Sequence, residues 1–364
     1  MVYKLTSLKT FILIFTIIFS ISCSSSNSQI EQNIDEEIIK ETPNDEVLDN
    51  EDENTEDEQQ TYNSVVEEYG QLTISGNKIV DQNGSAIQLR GMSFFWSQWI
   101  GKYYNHETVK WLKDDWQCTV VRAALAVDYD GYLVHPEQEK AKIMAVIDAA
   151  IEEGIYVIID WHDHEAEKHT EQAKAFFAEM AEKYGEYPNV IYETFNEPLD
   201  ISWNEVLKPY HEAVIAEIRK YDPDNIIVCG TRNWSQNVDD VIGNKIDDAN
   251  VAYTLHYYAA THKQWLRDIA TSALNNNVPL FVTEFGTTQA SGDESIDVEE
   301  SELWWQYLDE HKISWCNWSV ADKEELAAAL KPGTSSTGGW SEAELTTSGK
   351  MVRDELKKKN KAYK

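Results

Sequence analysis

Residues 138–162 read Gln138-Glu-Lys-Ala-Lys-Ile-Met-Ala-Val-Ile-Asp-Ala-Ala-Ile-Glu-Glu-Gly-Ile-Tyr156-Val-Ile-Ile-Asp-Trp-His162. A helical pattern over Gln138–Glu153 leads into an apolar, strand-like run over Tyr156–His162. The alternation recurs along the chain. Strand-like runs lie at Leu89–Phe95, Thr119–Leu125, Tyr156–His162, Val190–Glu197, Ile226–Thr231, Val251–Tyr258, Leu280–Gly286 and Ser314–Val320. Further helical patterns cover Glu107–Asp114, Glu171–Tyr184, Trp203–Tyr221, His262–Asn275 and Val298–His311, with a last one near Ser348–Lys359. The unit after Trp234 carries the weakest helix signal. Strands that are apolar along their length are those covered on both faces, as parallel strands are. Eight such β-α units count out a (β/α)8 TIM barrel. Upstream, Gln71–Ser75, Lys78–Asp81 and Ala86–Leu89, with Asn83-Gly84 before the last, predict a small N-terminal β-hairpin lid.

The whole chain has 364 residues, with 31 Lys+Arg against 64 Asp+Glu. A formal net charge of −33 argues against nucleic acid or an anionic membrane surface as partner, since both need clustered cations. Thirteen Trp and eighteen Tyr suit a neutral, stacking ligand such as a sugar, core packing being the other use of flat rings. Much of the charge is concentrated in residues 31–68, where sixteen acidic residues stand against one Lys. Such a stretch has too little apolar surface to offset its ordering entropy and reads as a disordered spacer.

Residues 1–22 begin basic (Lys4, Lys9), continue through the apolar run Phe11–Phe19 and end in small residues. That is the pattern of a signal peptide, and the run is too short for a spanning helix. Cys23 follows directly and is the candidate lipid-attachment residue, with Ser20 where such signals usually carry Leu; plain cleavage near Ser22 beside an incidental Cys is the alternative. The expected organisation is a signal peptide at 1–22, an anchor cysteine and acidic tether at 23–68, and the barrel at 69–364. The protein would be exported, either as a surface lipoprotein touching the membrane only through its lipid or as a secreted monomer. Cys118, Cys229 and Cys316 have no CxxC spacing and sit in or beside apolar runs, so they read as free, buried thiols.

Barrel active sites lie at the carboxyl ends of the strands. Those ends carry Asp160-Trp161-His162, Asn196-Glu197-Pro198, His256-Tyr257-Tyr258, Thr283-Glu284-Phe285-Gly286 and Asn317-Trp318. Two carboxylates at two strand ends are what glycosidic cleavage requires: one protonates the leaving oxygen, the other attacks the anomeric carbon or activates water. The chain offers no Gly-rich phosphate loop, HExxH or serine elbow as an equal alternative.

From about Gly70 to its end the chain resembles glycoside hydrolase family five, most closely its bacterial endo-β-1,4-glucanases of subfamily two. The resemblance rests on Leu89–Ser93, Ile158–His162, Tyr192–Pro198, Thr254–Tyr258, Phe281–Gly286 and Asn317–Ser319. It implies that Glu197 is the acid/base and Glu284 the nucleophile, with Asn196 bonding the sugar 2-hydroxyl. Arg122 would lie beneath Glu284 and hold it ionised. His256 and Tyr258 would orient the nucleophile and the sugar, and His162 would bond a hydroxyl at the cleavage site. Trp318 would be the floor under a glucose ring, Trp99 and Trp234 outer platforms, and Lys323 and Glu325 contacts on the non-reducing side. The resemblance implies a β-glucan substrate and no cofactor.

Three features depart from the pattern. Phe95 stands where many relatives have His, Ala126 where many have Tyr, and the loop Asp163–His169 is unlike the usual one. His162, His164 and His169 lack a four-ligand metal spacing, so the loop reads as solvated and polar. Glu193 and Asp160 share the strand parity of the site residues and read as a structural layer, and Trp161 and Trp315 as core. Another β-1,4-glycanase (mannanase, xylanase or mixed-linkage glucanase) would share fold and acid pair. A non-catalytic glycan-binding surface lipoprotein is the reading from a different class.

Overall fold

The computed structural model describes residues 61–364. The signal peptide, Cys23 and most of the tether lie outside the described residues. A hairpin of β1 (Thr73–Ser75) and β2 (Lys78–Val80) precedes eight parallel strands: β3 (Arg90–Phe94), β4 (Val120–Ala126), β5 (Tyr156–His162), β6 (Val190–Glu193), β7 (Ile227–Cys229), β8 (Val251–Tyr258), β9 (Leu280–Gly286) and β10 (Ser314–Val320). Each barrel strand pairs with the next and β10 closes on β3, giving a complete (β/α)8 barrel. The strands β4, β5, β9 and β10 are buried at every position, which is why they read as unbroken apolar runs.

Helices follow where the pattern placed them, with readable ends. Pro136 opens the helix Pro136–Glu153, and Gly154 stops it in the left-handed conformation at φ 67°. Asn105 caps His106–Asp114 by accepting from the Thr108 amide. The segment from Trp203 begins as a π-helical turn and becomes α-helical at Lys208–Ile218. After Trp234 there is no full helix, only a short 3-10 turn at Val238–Val241.

Three expectations change. All but the last residue of the helix Val65–Tyr69 lies in the stretch assigned to the tether; Val65 is fully buried and the Val66 amide donates to Gly154 O, so the folded domain begins before residue 65. The hairpin is not near the site. The Ile74 amide reaches Asn250, just before β8, Asn77 donates to Leu274 O at the end of the helix Gln264–Asn275 that leads into β9, and Gln88 donates to Ile313 O, just before β10, so the hairpin closes the amino end of the barrel. Finally, β6 stops at Glu193, not Glu197. Beyond it the Asn196 amide donates to Trp161 O and the Glu197 amide to Asp163 O, carrying the chain across the top of β5. Cys118, Cys229 and Cys316 are free and buried. Among the described residues no helix is long and apolar enough to cross a membrane.

Candidate active site

The carboxyl ends of the strands gather the residues into one cleft. Arg122, in β4, is fully buried and serves five partners: Glu193 Oε2 at 2.7 Å, Asp160 Oδ2 at 2.9 Å, Glu284 Oε2 at 3.1 Å, Asn196 Oδ1 at 2.7 Å and Ser93 Oγ at 3.2 Å. One guanidinium therefore supports three carboxylates, as its planar fork allows. Glu193 also accepts from the Thr283 hydroxyl at 2.6 Å, so it belongs to this supporting layer, as does Asp160. Trp161 and Trp315 are core.

Above that layer stand Glu197, in the segment that follows β6, and Glu284, near the end of β9. One oxygen of each and one ring nitrogen of His256 lie within 4.8 Å of one another. Tyr258 donates its hydroxyl to Glu284 Oε1 at 2.8 Å. Gly286 makes room for that ring, since a Cβ there would come within 2.3 Å of it. His256 serves the other carboxylate: its Nδ1 lies 2.9 Å from Glu197 Oε1, and its Nε2 lies 2.9 Å from Thr283 Oγ1. Of the two, Tyr258 thus bonds Glu284 and His256 bonds Glu197.

Charge follows the same division. Burial and the neighbouring Glu197 raise the Glu284 carboxyl above the usual range, against the pull of His256 and Arg122. Arg122 thus pulls Glu284 toward the charged form, but burial and Glu197 outweigh that pull. Burial would raise Glu197 too, but hydrogen bonds from His164 and His256 prevail and hold it at about 2. Burial would lower His256, yet the neighbouring carboxylates of Glu193, 3.7 Å from Nε2, and Glu197 push it up to about 9. Both shifts favour the shared proton of this pair on the imidazole beside Glu197.

Two cavities flank the pair. One, of 420 Å³, is lined by Trp234, Gln236, His262 and Ala290 beside the two carboxylates, His256 and Tyr258. Trp234 is 47% exposed and, like Asn233 and Ser235, has a left-handed backbone, φ 55°. The other, of 220 Å³, holds Trp318, His162, Trp99, Lys323 and Glu325. His162 and Trp318 stack face to face, 5.1 Å apart and 3° from parallel, with His162 Nδ1 bonded to Asp160 at 2.7 Å. Asn196 is fully buried and its Nδ2 has no partner among the described residues, leaving a donor free. Lys323 and Glu325 pair with each other, and Lys323 lies 5.2 Å above the Phe95 ring, so the Phe95 departure supplies an aromatic wall. A larger cavity of 590 Å³ between Val298–His311 and Thr347–Lys359 contains none of the strand-end groups.

Sequence reasoning missed two residues. His164 Nε2 lies 3.1 Å from Glu197 Oε2, and Trp96 packs its ring on both His162 and His164. The unusual loop was the available signal for His164. Its three histidines do not converge: His162 turns to Asp160, His164 to Glu197 and His169 to Asp163.

Comparison with known proteins agrees with this geometry. Residues 80–324 match the family model described as cellulase, glycosyl hydrolase family 5. Endoglucanase A of Evansella cellulosilytica is 46% identical over 81% of this chain and 61% of its own length, and endoglucanase N of Pectobacterium atrosepticum 45% over 80% and 66%. The chain thus spans under two thirds of these relatives. A solved structure from Cytophaga hutchinsonii is 57% identical, with a TM-score of 0.81, over 82% of this chain and 97% of that one. The catalytic domain of a Thermobifida fusca endoglucanase, solved in complex with cellotetraose, is 34% identical with a TM-score of 0.77, over 80% and 99%.

Proposed function

The chain belongs to glycosyl hydrolase family 5, and on that premise we propose that it is a retaining endo-β-1,4-glucanase, cutting inside soluble or amorphous β-glucan chains by double displacement. The observation that carries the reading is the approach of Glu197 and Glu284 to within 4.8 Å through one oxygen of each. Retaining enzymes hold their carboxyl groups about 5–5.5 Å apart and inverting ones about 6.5–9.5 Å, because only the latter must admit a water between.

In this reading Glu284 attacks the anomeric carbon and forms a glycosyl ester, while Glu197 protonates the departing oxygen. The proton is stored one hydrogen bond away, on His256. Glu197 then takes a proton from the water that hydrolyses the ester. The free Nδ2 of Asn196 suits the sugar 2-hydroxyl, and Trp318, Trp99 and Trp234 suit stacked rings. The names of the relatives and the cellotetraose bound by one of them support a β-1,4-glucan as substrate. Upstream, the proposal keeps residues 1–22 as an export signal, Cys23 as the lipid-attachment site, and the acidic stretch after it as a spacer. Proton NMR of the first product tests the chemistry. Release of the β anomer from a cello-oligosaccharide is expected, and initial release of the α anomer would rule retention out.

A further inference from the structure

We infer that His164 is a positioning residue that anchors one oxygen of Glu197, leaving the other oxygen alone to pass the proton between His256 and the glycosidic bond. The inference rests on the glucanase reading and gives a task to the loop that departs from the family pattern. Both oxygens of Glu197 are engaged: Oε1 lies 2.9 Å from His256 Nδ1, and Oε2 lies 3.1 Å from His164 Nε2. The two rings hold it from different cavities. His256 lines the 420 Å³ cavity beside Trp234, and His164 lines the 220 Å³ cavity beside Trp318, Lys323 and Glu325. On the glucanase reading Lys323 and Glu325 meet the non-reducing side, so the leaving group occupies the cavity of His256. Oε1 therefore faces the bond to be protonated and must exchange partners in every cycle, whereas Oε2 need never let go of His164.

The surroundings of His164 suit a fixed anchor. Its loop is tied to the acid/base through the backbone, because the Glu197 amide donates to Asp163 O at 3.3 Å. Asp163 is itself buried; its side chain accepts from the Glu165 amide at 2.9 Å and meets His169 Nδ1 at 2.7 Å, which sets the turn. The Trp96 ring, in the segment after β3, lies 5.7 Å from the His164 ring and backs it. The Nδ1 of His164 has no hydrogen-bond partner among the described residues, so Glu197 takes the one such bond the ring makes. Burial would lower the basicity of His164, but its bond to Glu197 and the charges of Glu197, Glu284 and Asp163 prevail and raise it. His162 and Glu165, from the same stretch of chain, are its other titratable neighbours. An N–H aimed at a carboxylate favours the charged form and keeps the carboxyl plane from turning, and a bond to a charged acceptor is among the stronger ones.

The test is kinetic, on the full chain. His164→Leu should lower kcat/KM for cellotetraose by about ten- to a hundredfold, the worth of one hydrogen bond to a charged group. For dinitrophenyl cellobioside, whose leaving group departs without a proton, the fall should be far smaller. The alkaline limb of the cellotetraose pH profile should also move up by about one unit, since the pair of Glu197 and His256 then holds its proton more tightly. His164→Gln keeps an N–H donor and should return most of both. No loss in His164→Leu, an equal loss on both substrates, or an unmoved alkaline limb would overturn the anchor. If the wild-type chain cleaved neither cellotetraose nor the aryl cellobioside, the glucanase reading itself would fall, and the anchor with it.

Discussion

His256 Nδ1 faces Glu197 Oε1 across 2.9 Å, and the partner on its other nitrogen determines what that contact can carry. Thr283 gives its hydroxyl hydrogen to Glu193, so it can only accept from His256 Nε2. Nε2 is therefore protonated, and Nδ1 meets Glu197 either as the second N–H of an imidazolium or as the acceptor of a Glu197 proton. Either way one proton is confined between His256 and Glu197, the carboxylate proposed to deliver it.

Glu284→Gln should abolish turnover on every glycoside, because no ester can form. Glu197→Gln should slow cellulose hydrolysis by about 10²–10⁴-fold but aryl cellobiosides with good leaving groups far less, since these depart without a proton. Near wild-type rates on cellulose for both variants, measured by reducing-sugar release, would refute the assignment.

Stability should fall from neutral to alkaline pH. The folded pKa of His256, about 9, lies above the unfolded value near 6.5. Its contribution is thus complete below pH 6.5 and lost as pH rises through 9. Glu197, held at about 2, contributes above its unfolded value and loses that contribution as pH falls toward 2. Melting curves from pH 5 to 10 should flatten above pH 6.5 in His256→Gln; an identical decline in the variant would contradict the pairing.

Arg122→Met should cost about 3–5 kcal/mol, because it strands three buried carboxylates around one lost cation. Arg122→Lys should recover little, since a point charge cannot bond Glu193, Asp160, Glu284 and Asn196 together. Urea unfolding of both variants against wild type measures this, and a lysine variant of full stability would show that charge alone suffices.

Gly286→Ala should place a methyl against the Tyr258 ring and move its hydroxyl from Glu284. A fall in kcat on the order of tenfold to a hundredfold is expected, the scale of an ångström-level misplacement. Circular dichroism should show the fold intact, and unchanged kcat would mean that Tyr258 does not set the nucleophile.

Deleting 24–60 should leave melting temperature and activity as they are. Deleting 24–69 should cost at least about 1.5–3 kcal/mol, from uncovering the apolar surface that Val65 closes. Equal melting temperatures for the two truncations would show that the helix Val65–Tyr69 contributes nothing. Cys23→Ser in cells should release the protein from the membrane fraction if the lipid is attached there.

The barrel was legible because parallel strands buried on both faces leave long apolar runs, and β5, β8, β9 and β10 occupy the ranges read from the sequence. β7, Ile227–Cys229, is shorter than its run: Ile226 only accepts from the Tyr192 amide at its entry, and Gly230 and Thr231 are small residues beyond its end. The acid pair could be read from its strand ends. His164 could not, because a loop residue's partner depends on where the loop returns. Nor could the division of His256 and Tyr258 between the two carboxylates: strand parity puts both in the cleft and says nothing of which oxygen each reaches. Trp96 reads like any core aromatic until its neighbours are known.

The two cavities on either side of Glu197 and Glu284 end in half-exposed tryptophans, Trp99 on one side and Trp234 on the other. A polymer lying over such a trench can cross the scissile position with both tails in solvent and need present no terminus. With the proposed activity, encounters would sever chains near their middles as readily as near their tips. The viscosity of a dissolved glucan should accordingly collapse after very few cuts per molecule, well before soluble sugar accumulates.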